Sequence, residues 1–404
     1  MTLTFSQLGL LLFISTVVAI LTRRLHMPYT VGLVLAGMAL YLFAVRLTLH
    51  LSKELIFYVF LPPLVFEAAL YIKWQELKRD LPVVGLLATA GLVAAAAVTA
   101  VGMHYVVHWP WSSAAVFGVL IAATDPVSVV ATFKEAGVKG RLRLLVEAES
   151  LLNDGTAAVL FVVALGIGAG TGVDVWQVGG SLLLTMGGGL VCGAATGFVL
   201  MFLAGRTSDH LIEITCTTLA AYGSFFVAEH FHFSGVLAAL AAGLVAGNFG
   251  PFGSISSAGH LAVKSFWDYV AFVVNSLIFL LIGTGETQQN FGALWWSALV
   301  AIVLVTLGRA VAIYPICALF RRSALKVDPR HQHVLFWGGL RGALALALAL
   351  GLPPELPLRH EIVTVAFAVV AFSIFAQGLT MTPLLRKLKQ LGATELEPNP
   401  VPHE

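Results

Sequence analysis

Apolar runs follow one another along almost the whole chain, from residue 5 to residue 385. A run of about 20 residues crosses the ~30 Å hydrocarbon core of a bilayer as a helix, because each residue adds 1.5 Å. These runs are too long and too continuous for the alternating strands of about 10 residues that build membrane barrels. The sequence therefore predicts an all-α polytopic membrane protein embedded in the lipid bilayer.

Composition excludes other classes. The chain is 58% hydrophobic and 11% charged, with a mean hydropathy of +0.91, whereas soluble domains carry about 25% charged residues. A net charge of +2 gives no indication of a nucleic-acid partner. Cys192, Cys216 and Cys317 lie in apolar runs without the spacing of a disulfide framework or a zinc site, so no cofactor is predicted.

Thirteen membrane spans are predicted, and their bounds are 5–22, 28–45, 54–72, 82–107, 112–133, 144–167, 177–204, 211–232, 234–248, 266–285, 293–320, 332–351 and 361–385. Of the 23 Lys and Arg residues, 18 lie in the odd-numbered loops or after the last span, on what we call the basic side. The positive-inside rule then predicts an outside N-terminus and a cytoplasmic C-terminus, in a cell membrane.

Two of these spans contain helix-breaking sequences. The fifth holds Thr124-Asp125-Pro126, and the twelfth holds Gly338-Gly339-Leu340-Arg341-Gly342. Proline removes a backbone donor, and glycines permit non-helical backbone, so both helices are predicted to be broken. The thirteen spans can be divided into a first half of six, one middle span and a second half of six. Each break then lies in the fifth span of its own half. This pattern is typical of inverted repeats with a binding site at their interface.

One acidic and amide-rich stretch lies inside the sixth span. Asp154 falls near the middle of the apolar run, where a charged side chain costs about 2.5 kcal/mol or more, so an ion site is expected. Asp125 lies at a similar depth and could contribute to the same site. Glu149 with Asn153, and Ser150 with Asp154, are i,i+4 neighbours that form two adjacent ridges. One ridge could bind an ion while the other anchors the helix.

Several motifs together resemble the NhaP-type, NHE-like sodium/proton exchangers. They are Leu61-Pro62-Pro63 with Phe66-Glu67, Thr124-Asp125-Pro126-Val127, Glu149 to Gly155, Ser234-Gly235-Val236-Leu237-Ala238, Asn275-Ser276 with Gly283, and the Gly338 to Gly342 cluster. The resemblance covers nearly the whole chain and implies an NhaA-like antiporter fold in a homodimer. It implies a dimerisation domain at 1–78 and 172–288, a core ion-transport domain at 79–171 and 289–392, and a short cytoplasmic tail at 393–404.

The resemblance also implies the residues of a cation and proton site. Asp154 would bind the monovalent cation and the proton alternately. Asp125 and Ser150 would line the same site, together with the Thr124 carbonyl that unwinding leaves available. Glu67 would contribute from a greater distance.

Three further residues would have structural roles in such a family member. The resemblance implies that Glu149 pairs with Arg341 and holds Asn153 in place. An asparagine before the key aspartate goes with electroneutral one-for-one exchange in this family. The residues alone leave two alternatives open: Arg341 could pair with Asp154, and Asp125 could mainly neutralise a half-helix dipole.

Other intramembrane polar residues have simpler explanations. Glu213, Glu229, Asp268 and Glu361 lie toward span ends, where snorkelling or an interfacial ion pair is the usual role. Arg309 lies deeper, and either Glu67 or backbone carbonyls could be its partner.

The predicted function is secondary antiport of a monovalent cation against H+. The cation expected is Na+ or Li+, with K+ as a further candidate. Three alternatives remain: a cation channel, a sodium-coupled symporter on the same fold, and an intramembrane enzyme that uses Asp125 and Asp154 as an acid/base pair.

Overall fold

Helices account for nearly all of the ordered architecture in a computed structural model of the chain. The structure describes residues 5–25, 27–43, 51–125, 129–130, 132–133, 136–168, 175–249 and 257–388. No β-strand occurs within those ranges. The predicted all-α class is confirmed for the part of the chain that is described, whereas the predicted tail at 393–404 lies outside it.

Fourteen helices are numbered here in chain order within the described ranges. They are α1 (Phe5–Leu25), α2 (Tyr29–Leu42), α3 (Leu55–Leu70), α4 (Trp74–Val107), α5 (Trp111–Ala122), α6 (Arg141–Gly168), α7 (Val175–Ala204), α8 (His210–His230), α9 (Gly235–Phe249), α10 (Ser257–Glu286), α11 (Trp295–Leu319), α12 (Pro329–Trp337), α13 (Ala343–Leu350) and α14 (Arg359–Lys387). Helices α3, α4 and α14 each contain one π-helical segment, at Leu55–Phe60, Leu87–Gly91 and Ser373–Gly378.

Eight of the described helices are long and apolar enough to cross a membrane, and four shorter ones are also apolar. Each predicted span overlaps one of these helices, or two helical segments where an interruption is predicted. The chain is therefore a multi-pass membrane protein. Thirteen crossings and the inverted-repeat relation stay predictions, because helix length alone does not show how many segments pass through the bilayer.

Glycines allow two of the helices to pack with their backbones in contact. A Cβ atom on Gly37 of α2 would overlap the Leu280 carbonyl oxygen of α10, and one on Gly283 would overlap the Val34 carbonyl oxygen. Small residues at helix crossings permit this approach in membranes, where van der Waals contact replaces the hydrophobic effect as the driving force. This contact holds α10, one wall of the site described below, firmly against α2.

Both predicted interruptions are present in the described residues. Helix α5 ends at Ala122, Thr124 and Asp125 are non-helical, and residues 129–130 and 132–133 are helical again, while Pro126 lies outside the described residues. Helix α12 ends at Trp337, and α13 begins only at Ala343. The Asp125 backbone N–H donates to the Leu340 carbonyl oxygen at 2.8 Å. The two interruptions therefore meet, and each satisfies a backbone group that the other leaves without a helical partner.

Candidate functional site

A cavity of about 430 Å³ lies beside the crossing of the two interrupted segments. Its walls on α6 run from Arg143 to Asp154, and its walls on α10 run from Asp268 to Phe279. On α6 the lining begins at the basic side and stops about halfway along the helix, and on α10 it occupies the middle of the helix and stops before its far end. Arg23, an exposed residue on the basic side, also lines the cavity. The cavity therefore opens toward the basic side and is closed toward the opposite side.

Asp154 lies at the inner end of the α6 wall. Its side chain is buried, with the residue 5% exposed, and its Oδ1 atom has no hydrogen-bond partner among the described residues. A buried polar oxygen without a partner costs free energy unless a ligand or water satisfies it. Because Asp154 also faces the cavity, this oxygen can receive a proton or a cation that arrives from the basic side.

Asp125 lines the same cavity from the crossing point. A Cβ atom on Gly342 would overlap the Asp125 carboxyl group, so the glycine leaves the space that this carboxyl group occupies. Gly342 immediately precedes the first residue of α13, and a helix N-terminus attracts negative charge. The structure therefore brings Asp125 to the cavity of Asp154 and also beside a helix terminus, so its two possible roles are compatible.

A chain of hydrogen bonds links the cavity to the interior of the protein. The Thr124 and Ser150 hydroxyl oxygens are 3.1 Å apart. Asn153 Nδ2 donates to Thr124 Oγ1 at 3.3 Å and to Glu149 Oε1 at 3.2 Å. Since Asn153 binds both Thr124 and Glu149, it orients the hydroxyl pair relative to the anchored ridge of α6.

The predicted pairing of Glu149 with Arg341 is wrong, because the partner of Glu149 is Arg309. Glu149 Oε1 accepts from Arg309 Nη1 at 2.7 Å, and Glu149 Oε2 accepts from Arg309 Nη2 at 2.9 Å. Arg309 also donates to the Leu335 carbonyl oxygen, so backbone carbonyl binding, one of the two alternatives left open, is present. A Cβ atom on Gly339 would overlap the Arg309 side chain. The glycine-rich interruption thus makes room for the arginine from α11.

Arg341 is buried nearby but has a different set of contacts. Its Nη1 atom donates to the Gly339 carbonyl oxygen, and its Nε atom has no hydrogen-bond partner among the described residues. It still interacts electrostatically with Glu149 and Arg309. The three side chains therefore form one buried charged group, in which Arg309 holds the hydrogen bonds to Glu149 and Arg341 contributes charge without a direct bond.

The wall near the cavity opening contains polar residues that sequence reasoning did not place there. Glu67 lines it, and so do Tyr71 and Asp268, which interact electrostatically with each other. The span-end interpretation of Asp268 is therefore wrong, because α10 turns this residue toward the cavity. Arg143 and Glu147 also line the wall and form an ion pair at 2.6 Å. Glu147 lies seven residues before Asp154 on one face of α6, a spacing that could have identified it.

The fold and the site define a class: a helical membrane protein with a one-sided, carboxylate-lined cavity where two broken helices cross. Residues 10–387 match the sequence profile of the transmembrane sodium/hydrogen exchangers. The chain belongs to this family.

Named relatives agree with this assignment, and a solved structure has the same fold. The chain is 38% identical to the Na(+)/H(+) antiporter ApNhaP of Aphanothece halophytica, over 91% of this chain and 71% of that protein. It is 36% identical to the low-affinity Na(+)/H(+) antiporter NhaS1 of Synechocystis, over 96% and 75% of the two chains. The sodium proton antiporter MjNhaP1 of Methanocaldococcus jannaschii has the same fold, with a TM-score of 0.78 at 19% identity over 99% of this chain and 100% of that one.

Proposed function

We propose that this protein is a secondary antiporter that exchanges a monovalent cation for H+. The cation is Na+ or Li+, with K+ as a further candidate. One observation carries the proposal: Asp154 is buried at the inner end of a one-sided cavity and has a carboxylate oxygen without a protein partner. A carboxylate in that position can be neutralised by a proton or by a cation, but not by both together. The two relatives described above are both named Na(+)/H(+) antiporters, and these names support the same exchange.

The cation site consists of the groups that converge on Asp154. Asp125 and Ser150 supply oxygen ligands with Thr124, and Glu67 attracts the cation as it approaches. Alkali cations bind hard oxygen ligands of these kinds, and the ions carried are substrates, so no resident cofactor is required. Glu149, Arg341 and Asn153 orient the site, with Arg309 as the direct partner of Glu149.

The one-sided cavity supports a mechanism of alternating access. The positive-inside rule predicts that the basic side is cytoplasmic, and with that orientation the conformation described here would be open to the cytoplasm. The core domain (79–171 and 289–392) would move against the dimerisation domain (1–78 and 172–288) of a homodimer and open the site to the other side. A channel would need a continuous path, and the closed end of this cavity supports an antiporter instead.

Exchange is proposed to be electroneutral. If Asp154 carries either one cation or one proton across the membrane, the loaded site has the same charge in both crossings. A potential of 100 mV acts on a translocated charge with about 2.3 kcal/mol, so an electrogenic cycle would respond strongly to voltage.

The test is proton flux in proteoliposomes after Na+, Li+ or K+ is added on one side, at several clamped membrane potentials. We expect flux with at least one cation and no dependence on voltage. Absence of flux with all three cations would refute the antiport proposal. A rate that changes with voltage would instead refute one-for-one exchange and indicate a second proton, carried on Asp125.

A further inference from the structure

Glu286 is a buried carboxyl group outside the site described above. It is the last residue of α10, it is 1% exposed, and neither of its carboxylate oxygens has a hydrogen-bond partner among the described residues. An ionised carboxylate in such a place would have lost its water without gaining a compensating partner, which is strongly unfavourable. The environment of Glu286 therefore favours the neutral, protonated form of the group.

Glu286 lies on the continuation of the cavity wall. Asp268, Asn275 and Phe279 line the cavity from α10, and Glu286 follows Phe279 by seven residues, so all four lie on one face of the helix. Seven residues correspond to about 10.5 Å along a helix. Glu286 is thus beyond the closed end of the cavity, toward the side opposite the basic side.

The end of α10 is held against α14 around this residue. A Cβ atom on Gly285 would overlap the ring of Phe367 in α14. Thr364 Oγ1 of α14 donates to Gln289 Oε1 at 2.8 Å, and the Gln289 backbone N–H donates to the Glu286 carbonyl oxygen at 3.2 Å. The contact between Gly285 and Phe367 joins the predicted dimerisation domain to the predicted core domain, and the hydrogen bonds of Gln289, the first residue of the core domain, hold the end of α10 to Thr364. These contacts therefore close the interface that must open if the site is to reach the opposite side.

Titratable groups on the neighbouring elements do not pair with Glu286. At this end of the molecule they are Arg359, His360 and Glu361 on α14, Tyr41 on α2, Lys53, Glu54 and Tyr58 at the start of α3, and Glu229 and His230 on α8, while α13 contains none. None of them forms a hydrogen bond or an ion pair with Glu286 among the described residues. Arg359, the nearest cation along α14, donates to the Leu352 carbonyl oxygen instead.

We propose that Glu286 is a second proton-binding site, which holds a proton while α10 and α14 are in contact and ionises when they separate. The ligand is a proton and not an alkali cation, because a cation needs several oxygen ligands and neither carboxylate oxygen of Glu286 has a polar partner among the described residues. The proton is taken from and returned to the solvent on the same side of the membrane. It therefore leaves the exchange stoichiometry unchanged, but it couples closure of that side to the pH there.

Whether Glu286 is protonated while α10 and α14 are in contact can be tested without measuring transport. In detergent, the purified wild type and Glu286→Gln are melted across a series of pH values, with Glu355→Gln as the matched control, since Glu355 is exposed between α13 and α14. A folded state that binds one more proton than the unfolded chain loses stability as pH rises, by up to about tenfold in the folding equilibrium per pH unit. We expect wild type and Glu355→Gln to lose Tm with rising pH relative to Glu286→Gln. Parallel curves for all three proteins would overturn the proposal.

Ionisation on opening is tested by transport, and this part rests on the proposed antiport function. In oriented proteoliposomes, the pH is varied on one side at a time. We expect Glu286→Gln to lose part of the rate dependence on the pH opposite the basic side and to keep the dependence on the basic side. An unchanged response on both sides would overturn this part. If wild type itself shows no exchange, the antiport proposal fails, while the melting comparison still decides whether Glu286 binds a proton.

Discussion

Asp154 and Glu149 lie on the same helix, five residues apart, and both are buried, yet their surroundings are opposite. Both oxygens of Glu149 accept hydrogen bonds from Arg309, and Asn153 supplies another. Asp154 faces the cavity with one oxygen that has no partner among the described residues. Burial therefore does not distinguish the proposed exchange group from a structural one. A permanent partner fixes the charge state of an acid, whereas an open coordination position with access to solvent lets the charge state change.

The largest effect is expected for Asp154→Asn. An amide of the same shape can neither release a proton nor neutralise a cation, so exchange should be lost completely while the protein still folds. Proton flux in proteoliposomes measures the loss, and size-exclusion chromatography with a melting curve verifies folding. Glu355→Gln, an exposed substitution of the same type, should retain full flux. Cation-dependent proton flux in Asp154→Asn would move the exchange role to Asp125 or Glu67.

Removing either partner of the Glu149–Arg309 pair should reduce the stability of the protein and should have no specific effect on exchange. Loss of one member of a buried pair leaves the other charge uncompensated, at about 3–5 kcal/mol. Glu149→Gln and Arg309→Met should each lower Tm strongly, and the double variant should lose less than the two single losses added. Tm values of the four proteins, measured at one pH, give the coupling. The same cycle with Arg341→Met should give a weaker coupling, and equal couplings would contradict the assignment of Arg309 as the direct partner.

The hydroxyl pair that links the two ridges should have a moderate effect. Thr124→Val keeps the shape of the side chain but removes its hydrogen bonds to Ser150 and Asn153. A neutral hydrogen bond contributes about 0.5–1.5 kcal/mol, which corresponds to roughly twofold to tenfold in apparent cation affinity. Cation titrations of proton flux should show a higher KM with a smaller change in kcat. Thr124→Ser should restore the wild-type KM, and a failure to do so would show that the methyl group is the important part.

The smallest effect is expected at the opening of the cavity. Glu147 lies two helical turns from Asp154 and is itself buried, but it is paired with Arg143, whose side chain is 26% exposed. Because Glu147 does not contact Asp154 and its partner Arg143 remains accessible to solvent and salt, Glu147→Gln should raise the apparent cation KM less than about fivefold. The increase should disappear at high ionic strength when flux is titrated in parallel at two salt concentrations. A salt-independent loss of exchange would place Glu147 in the cation site itself.

Helical periodicity was a good guide to the faces of single helices. It identified the ridge with Ser150 and Asp154 and the ridge with Glu149 and Asn153. In the structure Asp154 lines the cavity and Ser150 contacts Thr124, while Glu149 binds Arg309 and Asn153 donates to Glu149 and Thr124. Spacing reports directions around one helix axis, so it requires no knowledge of the neighbours. To identify the partner of Glu149, by contrast, the neighbouring helices must be known. Arg309 and Arg341 are both intramembrane arginines, and the sequence around them does not show which one pairs with Glu149.

The sequence by itself determined the membrane class, the helices, the two interruptions and the central place of Asp154, because hydrophobic length and backbone-breaking residues act locally. Only the tertiary structure decided which side the cavity opens to, that Asp268 and Tyr71 line it, and that Glu286 is buried without a partner. Depth along a span is readable from the sequence, since each residue adds a fixed rise. Burial depends on which other helix lies against that residue, and this is set by packing between segments far apart in the chain.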